Sequence, residues 1–178
     1  MIYPIDLNFH VNHSENIELT ENNRIASRKS SFDNGLCALS KELQYNSNSS
    51  ASDDINRFSF IVTRTDARWN GGLRLGVSSL NPSDASFASN VSSFKNGSVF
   101  EEVPQSALSE GTLVTAWIDL TFRALYYVTS NSKNNIADPV KVQLDDPELL
   151  DCIDGERTLW FYLHLYGFTV QVKIFGET

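Results

Sequence analysis

At 178 residues, with 41% hydrophobic and 20% charged side chains, the chain is long enough to bury a core and too apolar to be disordered. A net charge of −8, with Lys and Arg scattered along the sequence, excludes a nucleic-acid backbone as the expected partner. No run approaches the roughly 18 apolar residues of a membrane span. The opening Met-Ile-Tyr-Pro-Ile-Asp-Leu lacks a basic region followed by an apolar run, so no signal peptide is expected.

In chain order, Ile17 and Leu19 alternate with Asn16 and Glu18, which predicts a short half-buried strand. Glu21-Asn22-Asn23 predicts a hairpin turn built on positive φ, and Arg24 to Arg28 returns as a second strand. Asp33-Asn34-Gly35 turns into a third strand through Leu36-Cys37-Ala38-Leu39. Asn46 to Asp54 is polar throughout and predicts a loop, the expected first site of proteolysis. Arg57 to Arg64 reads as a strand with Phe58, Phe60 and Val62 on one face.

The stretch Arg68-Trp69-Asn70-Gly71-Gly72 is a turn signal feeding the strictly alternating strand Leu73 to Ser79. Leu73, Leu75 and Val77 share one face, Arg74, Gly76 and Ser78 the other. Gly76 in mid-strand predicts a bulge or the close approach of another backbone. Trp69 has two readings, an anchor of the core or an exposed binding hot spot, and the tight turn beside it favours the core. For Arg74 the default is pairing with a cross-strand carboxylate.

Asn81 to Gly97 predicts a long excursion with one helical turn around Ser83–Ala88, followed by a strand at Ser98–Glu102. Leu113–Leu120 and Arg123–Thr129 form the next pair of strands, the second apolar on both sides and expected to be central. Asn131 to Pro139 is a second polar loop, Val140–Leu144 a further strand, and Asp146–Asp151 a helical turn opened by Pro147. Two strong strands end the chain, Thr158 to Tyr166 and Thr169 to Phe175. Period-two alternation without sustained helical periodicity predicts an all-β fold, a two-sheet antiparallel β-sandwich of SPRY-like or jelly-roll-like form, with residues 1–178 as one domain.

Catalysis is not expected. No Gly-x-Ser-x-Gly elbow occurs, no helix start follows Gly71-Gly72 to cradle a phosphate, and no titratable set converges in the sequence. His10, His13 and His164 are too few and too separate to predict zinc, and two imidazoles spaced by three are better read as hydrogen-bonding the first loop. No cofactor is expected. Cys37 and Cys152 are expected as buried free thiols. A carbohydrate-binding, lectin-like sandwich is the alternative among non-enzymes, but Asp145-Asp146, Asp151 and Asp154 read more simply as a solvated acidic stretch.

Four blocks occur in order: Phe9-His10-x-x-His13-x-x-Asn16-Ile17-x-Leu19, Ser31-Phe32-x-Asn34-Gly35, Trp69-x-Gly71-x-Leu73-Arg74-x-Gly76, and Leu165-Tyr166-Gly167 before alternating Val. Together they resemble the Neuralized homology repeat over about residues 9–175. The chain departs from that pattern at Ser14, where the family has Gly, and at His164, where the family has Asp. Thr129-Ser130-Asn131 replaces the family's Asn-Gly, and residues 81–110 match poorly.

The resemblance implies a protein-interaction domain in a SPRY-like sandwich that recognises a protein or peptide segment. It implies delivery of substrates to ubiquitin-ligase or trafficking components, as in Notch-ligand regulation. The implied location is cytoplasmic, at the membrane only through partners. Zinc-dependent ligase chemistry needs closely spaced Cys and His ligands, so any ligase activity would lie in another domain or partner. Carried onto this chain, the resemblance implies His10, His13, Asn16, Arg68, Trp69, Asn70 and Arg74 as partner-binding residues.

Overall fold

In a computed structural model of the chain, residues 7–30, 32–45, 56–84, 96–131 and 136–175 are described. Their strands are β1 (Phe9–His13), β2 (Ile17–Thr20), β3 (Ile25–Arg28), β4 (Gly35–Glu42), β5 (Arg57–Thr65), β6 (Leu73–Ser78), β7 (Ser98–Val103), β8 (Leu113–Asp119), β9 (Ala124–Ser130), β10 (Val140–Gln143), β11 (Trp160–Leu165) and β12 (Thr169–Phe175). A five-stranded sheet runs β1-β4-β11-β6-β7 and a seven-stranded sheet runs β10-β9-β8-β5-β12-β3-β2. The strands pair antiparallel throughout. The fold is the expected antiparallel β-sandwich.

One core joins the inner faces of the two sheets. Leu73, Leu75 and Val77 of β6 and Phe161, Leu163 and Leu165 of β11 are buried with Phe58, Phe60 and Val62 of β5. Phe58 and Phe161, from opposite sheets, have ring centroids 3.9 Å apart. Alternation along each strand thus fills the space between the sheets.

The outer face of the five-stranded sheet is also covered. Leu36, Ala38, Trp160 and Tyr162 form a second buried cluster, with Phe100 packed on it. The chain leaving β6 crosses this face: the Tyr162 hydroxyl donates to the Leu80 carbonyl (2.7 Å) and Asn12 Nδ2 to the Pro82 carbonyl (3.1 Å). All of β11 is consequently buried.

Several expectations are corrected. The chain opens with an additional strand, β1, whose Val11 is 69% exposed; an edge strand with one core residue, Phe9, shows no alternation to find. Glu21, Asn22 and Asn23 all take positive φ, so the hairpin turn exists but is longer than two residues. No bulge interrupts β6 at Gly76. Its register with β7 is continuous, and the Phe100 ring lies so close that a Cβ would stand 2.4 Å from it.

Strand β9 is second from the edge rather than central; Tyr126 and Val128 are half-buried on the outer face. The helical turn expected after Pro147 is a full helix, α1 (Pro147–Asp154), burying Leu149, Cys152 and Ile153. That spacing of three and four is a helical stripe. The excursion after β6 begins with a 3-10 turn at Pro82–Asp84. The rest of the turn expected at Ser83–Ala88 lies outside the described residues, as does the polar loop at Asn46–Asp54. Of the loop at Asn131–Pro139, residues 132–135 lie outside them too, and Ile136 forms an isolated bridge with Ser130.

Candidate functional site

Strands β3, β5, β7 and β11 all end, and β4, β6 and β12 all begin, at the same end of the sandwich, because antiparallel pairing returns the chain there. Four connections interlock at this end. Arg28, closing β3, is buried; its guanidinium donates to the Asp33 carbonyl (3.1 Å) and to the Gly167 carbonyl. Burial lowers its affinity for the proton, with Asp66 and Asp33 opposing that shift. Asn16 Nδ2 donates to the Asp33 carbonyl (2.7 Å), and Asn16 Oδ1 accepts from the Ser30 amide (3.0 Å).

The Asp66–Gly72 connection is shaped by its own side chains. Asp66 Oδ1 accepts from the Arg68 amide (3.1 Å), and the Asp66 carbonyl accepts from the Trp69 amide (3.2 Å). An Asp that accepts from the backbone two residues on imposes this kind of turn. Gly71 sits at φ +104°, and its amide donates to Gln105 Oε1 (3.1 Å). At Gly72 a Cβ would lie 1.8 Å from the Val103 carbonyl oxygen. The paired glycines therefore let the β5–β6 connection press against the end of β7.

Aromatic and basic side chains crown this frame. Phe32 is 76% exposed and meets Trp69 edge-on, with ring centroids 5.2 Å apart and planes at 75°. The Trp69 Nε1–H is buried and has no hydrogen-bond partner. Arg74, on the outward face of β6, lies over the Tyr166 ring at 4.7 Å. Tyr166 in turn stacks on His164, with centroids 5.1 Å apart and planes at 14°.

His164 is 1% exposed and neither ring nitrogen has a hydrogen-bond partner. Burial, reinforced by Arg74 and Arg28, lowers its pKa to about 3, so the ring is neutral. The Tyr166 phenol is raised, first by burial and then by a hydrogen bond to Glu102 and the Glu102 charge, while Arg74 and the Gly72 backbone oppose the shift. Among the described residues no group of three or more His, Cys, Asp or Glu is arranged to hold a metal ion.

The sequence-derived residues divide accordingly. Arg68, Trp69, Asn70 and Arg74 come together at the loop end. Arg68 is exposed and ion-paired to Asp66 (2.6 Å), and Asn70 is exposed. Trp69 is half-buried and lies outside the core cluster, which corrects the favoured reading of a core anchor; its neighbour is a loop ring, Phe32, rather than a sheet. Arg74 faces Glu102 across the strand pair but forms no ion pair with it.

Asn16 is tied into the β3–β4 connection. His13 Nδ1 donates to the Ser14 carbonyl (2.9 Å), and His10 Nδ1 accepts from the Asn12 amide (3.0 Å) while its Nε2 lies 3.5 Å from Ser83 Oγ. Both imidazoles thus bind local backbone, and His10 stands apart from the loop end. Tyr166 and Phe32 enter the sequence reading only as parts of motifs, and His164 only as a candidate metal ligand and a departure from the family pattern. The signal for His164 was available: a histidine within the unbroken apolar run Trp160 to Leu165 has to be buried.

The second open surface is the outer face of the seven-stranded sheet. Arg57 (5.3 Å to the Trp117 ring), Trp117, Tyr126 and Lys141 (6.0 Å to the Tyr126 ring) form a row across β5, β8, β9 and β10, with the two rings stacked at 5.3 Å and 6°. The ring faces are taken up by one another and by the cations.

The Neuralized family model matches residues 9–176. The chain belongs to the Neuralized family. No curated protein matches it in sequence. Its fold is similar to that of the Neuralized NHR1 domain of Drosophila melanogaster, with a TM-score of 0.72 and 16% identity, covering 99% of this chain and 100% of that one. It is also similar to the SPRY domain of human HERC1, with a TM-score of 0.56 and 15% identity over 96% and 99% of the two chains. A winged bean acidic lectin complexed with methyl-alpha-D-galactose gives a TM-score of 0.51 and 12% identity over 96% and 90%. At these identities the likenesses establish the sandwich shared by this Neuralized-family chain. No helix among the described residues is long and apolar enough to cross a membrane.

Proposed function

We propose that this Neuralized-family chain is one non-catalytic recognition domain whose loop end binds a segment of a partner protein. The observation that carries the reading is the Phe32–Trp69 pair at the same end as the Arg74–Tyr166 pair, joined to it through Gly71, which lies against the Tyr166 ring: an exposed ring braced by a second ring, with a guanidinium on the strand that follows. Trp, Tyr and Arg dominate interface energies because they bury large areas and also hydrogen-bond. A braced ring loses little freedom when it is covered, so more of its contact energy appears as affinity. His10 and His13 support the first loop in this reading, while Arg68, Trp69, Asn70 and Arg74 face the partner, with Asn16 holding their neighbours.

Two features count against catalysis and against sugar binding. The buried His164 has no hydrogen-bonded nucleophile to activate. The Trp117 and Tyr126 faces, which a sugar ring would need, are occupied within the chain. Family membership supports an adaptor role in the cytoplasm, delivering partners such as Notch ligands to ubiquitin-ligase or trafficking components. Affinity capture from lysate, run beside a glycan array, tests this. Ubiquitin-ligase or trafficking proteins retained by the domain support the reading, and specific glycan retention overturns it.

A further inference from the structure

Building on the loop-end reading above, we propose that Arg74 receives a single carboxylate of the partner segment, with an apolar partner residue beside it on the Phe32–Trp69 pair. The partner motif is therefore an apolar residue adjacent to an Asp or Glu.

The guanidiniums of Arg28, Arg68 and Arg74 differ in how they are engaged. Arg28 is spent on two backbone carbonyls and Arg68 on Asp66. Arg74 makes a ring contact with Tyr166 and, among the described residues, no hydrogen bond or ion pair. A guanidinium lying over a ring keeps its N–H fork in the guanidinium plane, pointing past the ring edge, where a carboxylate can accept two bonds at once.

The surrounding polar atoms ask for the same kind of ligand. The Trp69 indole N–H is buried without a partner, and the buried His164 ring beneath Tyr166 has two unpartnered nitrogens. Indole and guanidinium donate only. Such a donor-rich set fits an oxygen acceptor. A single guanidinium at Arg74, with Glu102 beside Tyr166, matches a monoanion better than a dianionic phosphate. Glu102 is the internal competitor: it is in register with Arg74 yet unpaired to it, so the guanidinium has not been neutralised from within.

The test uses two pools of acetylated, amidated tetrapeptides in which Leu, Ile, Met or Phe precedes Glu in one pool and Gln in its twin. Binding to the isotope-labelled chain is followed through the Trp69 indole and Arg74 side-chain N–H resonances. The Glu pool should shift both signals and bind about five- to tenfold tighter than the Gln pool. That preference should fade in about 1 M salt, where charges are screened within about 3 Å. It should vanish in Arg74→Gln, survive in weakened form in Arg74→Lys, and grow in Glu102→Gln; melting curves confirm that each variant folds.

Equal binding of the two pools at the Trp69 signal overturns the carboxylate while leaving loop-end docking intact. Shifts confined to the outer face of the seven-stranded sheet overturn both. A phosphoserine pool that outcompetes the Glu pool through Arg74 overturns the choice of anion. Silence of the Arg74 signal with both pools at millimolar concentration overturns the proposal.

Discussion

Phe32 and Trp69 come from separate connections, yet their rings meet edge-on at 5.2 Å while 76% of Phe32 stays exposed. In the loop-end reading proposed above, an aromatic pair held in this way contributes to stability through Trp69 and to binding through Phe32.

That division gives the first prediction. Phe32→Ala should change stability by no more than about 0.5 kcal/mol, the usual range for an exposed side chain. Its partner affinity should fall by at least about 2 kcal/mol, as for a hot spot. Trp69→Ala should cost less than the about 3–5 kcal/mol of a core aromatic truncation, for which Phe161→Ala is the comparison. Urea denaturation of the three variants checks the order, and a Phe161→Ala cost no larger than that of Trp69→Ala contradicts it.

Gly76 and Phe100 are coupled by contact. Gly76→Val places methyl groups where the Phe100 ring lies and should destabilise by about 1–3 kcal/mol. Phe100→Ala in the same chain should recover part of that loss, so the double mutant is less destabilised than the sum of the singles. Strict additivity in a double-mutant cycle would remove the ring from the explanation.

Asp146 Oδ1 accepts from the Leu149 amide (2.9 Å) to cap α1 and from the Gly97 amide (2.9 Å) to fasten the entry to β7. Asp146→Ala should cost about 0.5–2 kcal/mol, while Asp146→Asn keeps an acceptor oxygen and should retain most of it. Equal losses for the two variants would point to the charge rather than to the two hydrogen bonds.

His164 gives the chain a pH dependence of known sign. Its pKa falls from the ordinary 6.5 to about 3 on folding, so between these values the unfolded chain binds the extra proton. Stability from this group is therefore full above about pH 6.5 and is lost as pH falls toward 3, with a slope of at most about 1.4 kcal/mol per unit. His164→Gln removes the titration. Urea midpoints measured from pH 7 to pH 4 should fall more steeply in the unaltered chain than in the variant, and parallel curves would show that the histidine does not titrate this way.

Much of the fold was legible because alternation in β5, β6, β8 and β12 records burial on one face, and tight turns mark where the chain reverses. What was illegible has specific causes. Strand β1 is an edge strand with one buried apolar residue, so periodicity has nothing to report. Gly76 signals close packing, but only the register with β7 reveals that the neighbour is the Phe100 ring. Trp69 reads as core by size and turn context; its half-exposed position follows from loop geometry that no local pattern encodes. Arg74, Tyr166 and His164 belong together because β6 and β11 are neighbours with His164 opposite Arg74, a relation between strands far apart in sequence.

Phe32 and Phe122 provide the most direct test of loop-end binding. They are similarly exposed, at 76% and 70%, but Phe122 follows β8, whose pairing with β5 carries it to the opposite end of the sandwich. Capture of partner proteins from lysate by Phe32→Ala and Phe122→Ala domains, each shown to melt like the unaltered chain, compares two equivalent surface losses at opposite ends. Binding at the loop end requires that Phe32→Ala lose the captured partners and Phe122→Ala keep them. Capture retained by Phe32→Ala, or lost only in Phe122→Ala, would contradict it.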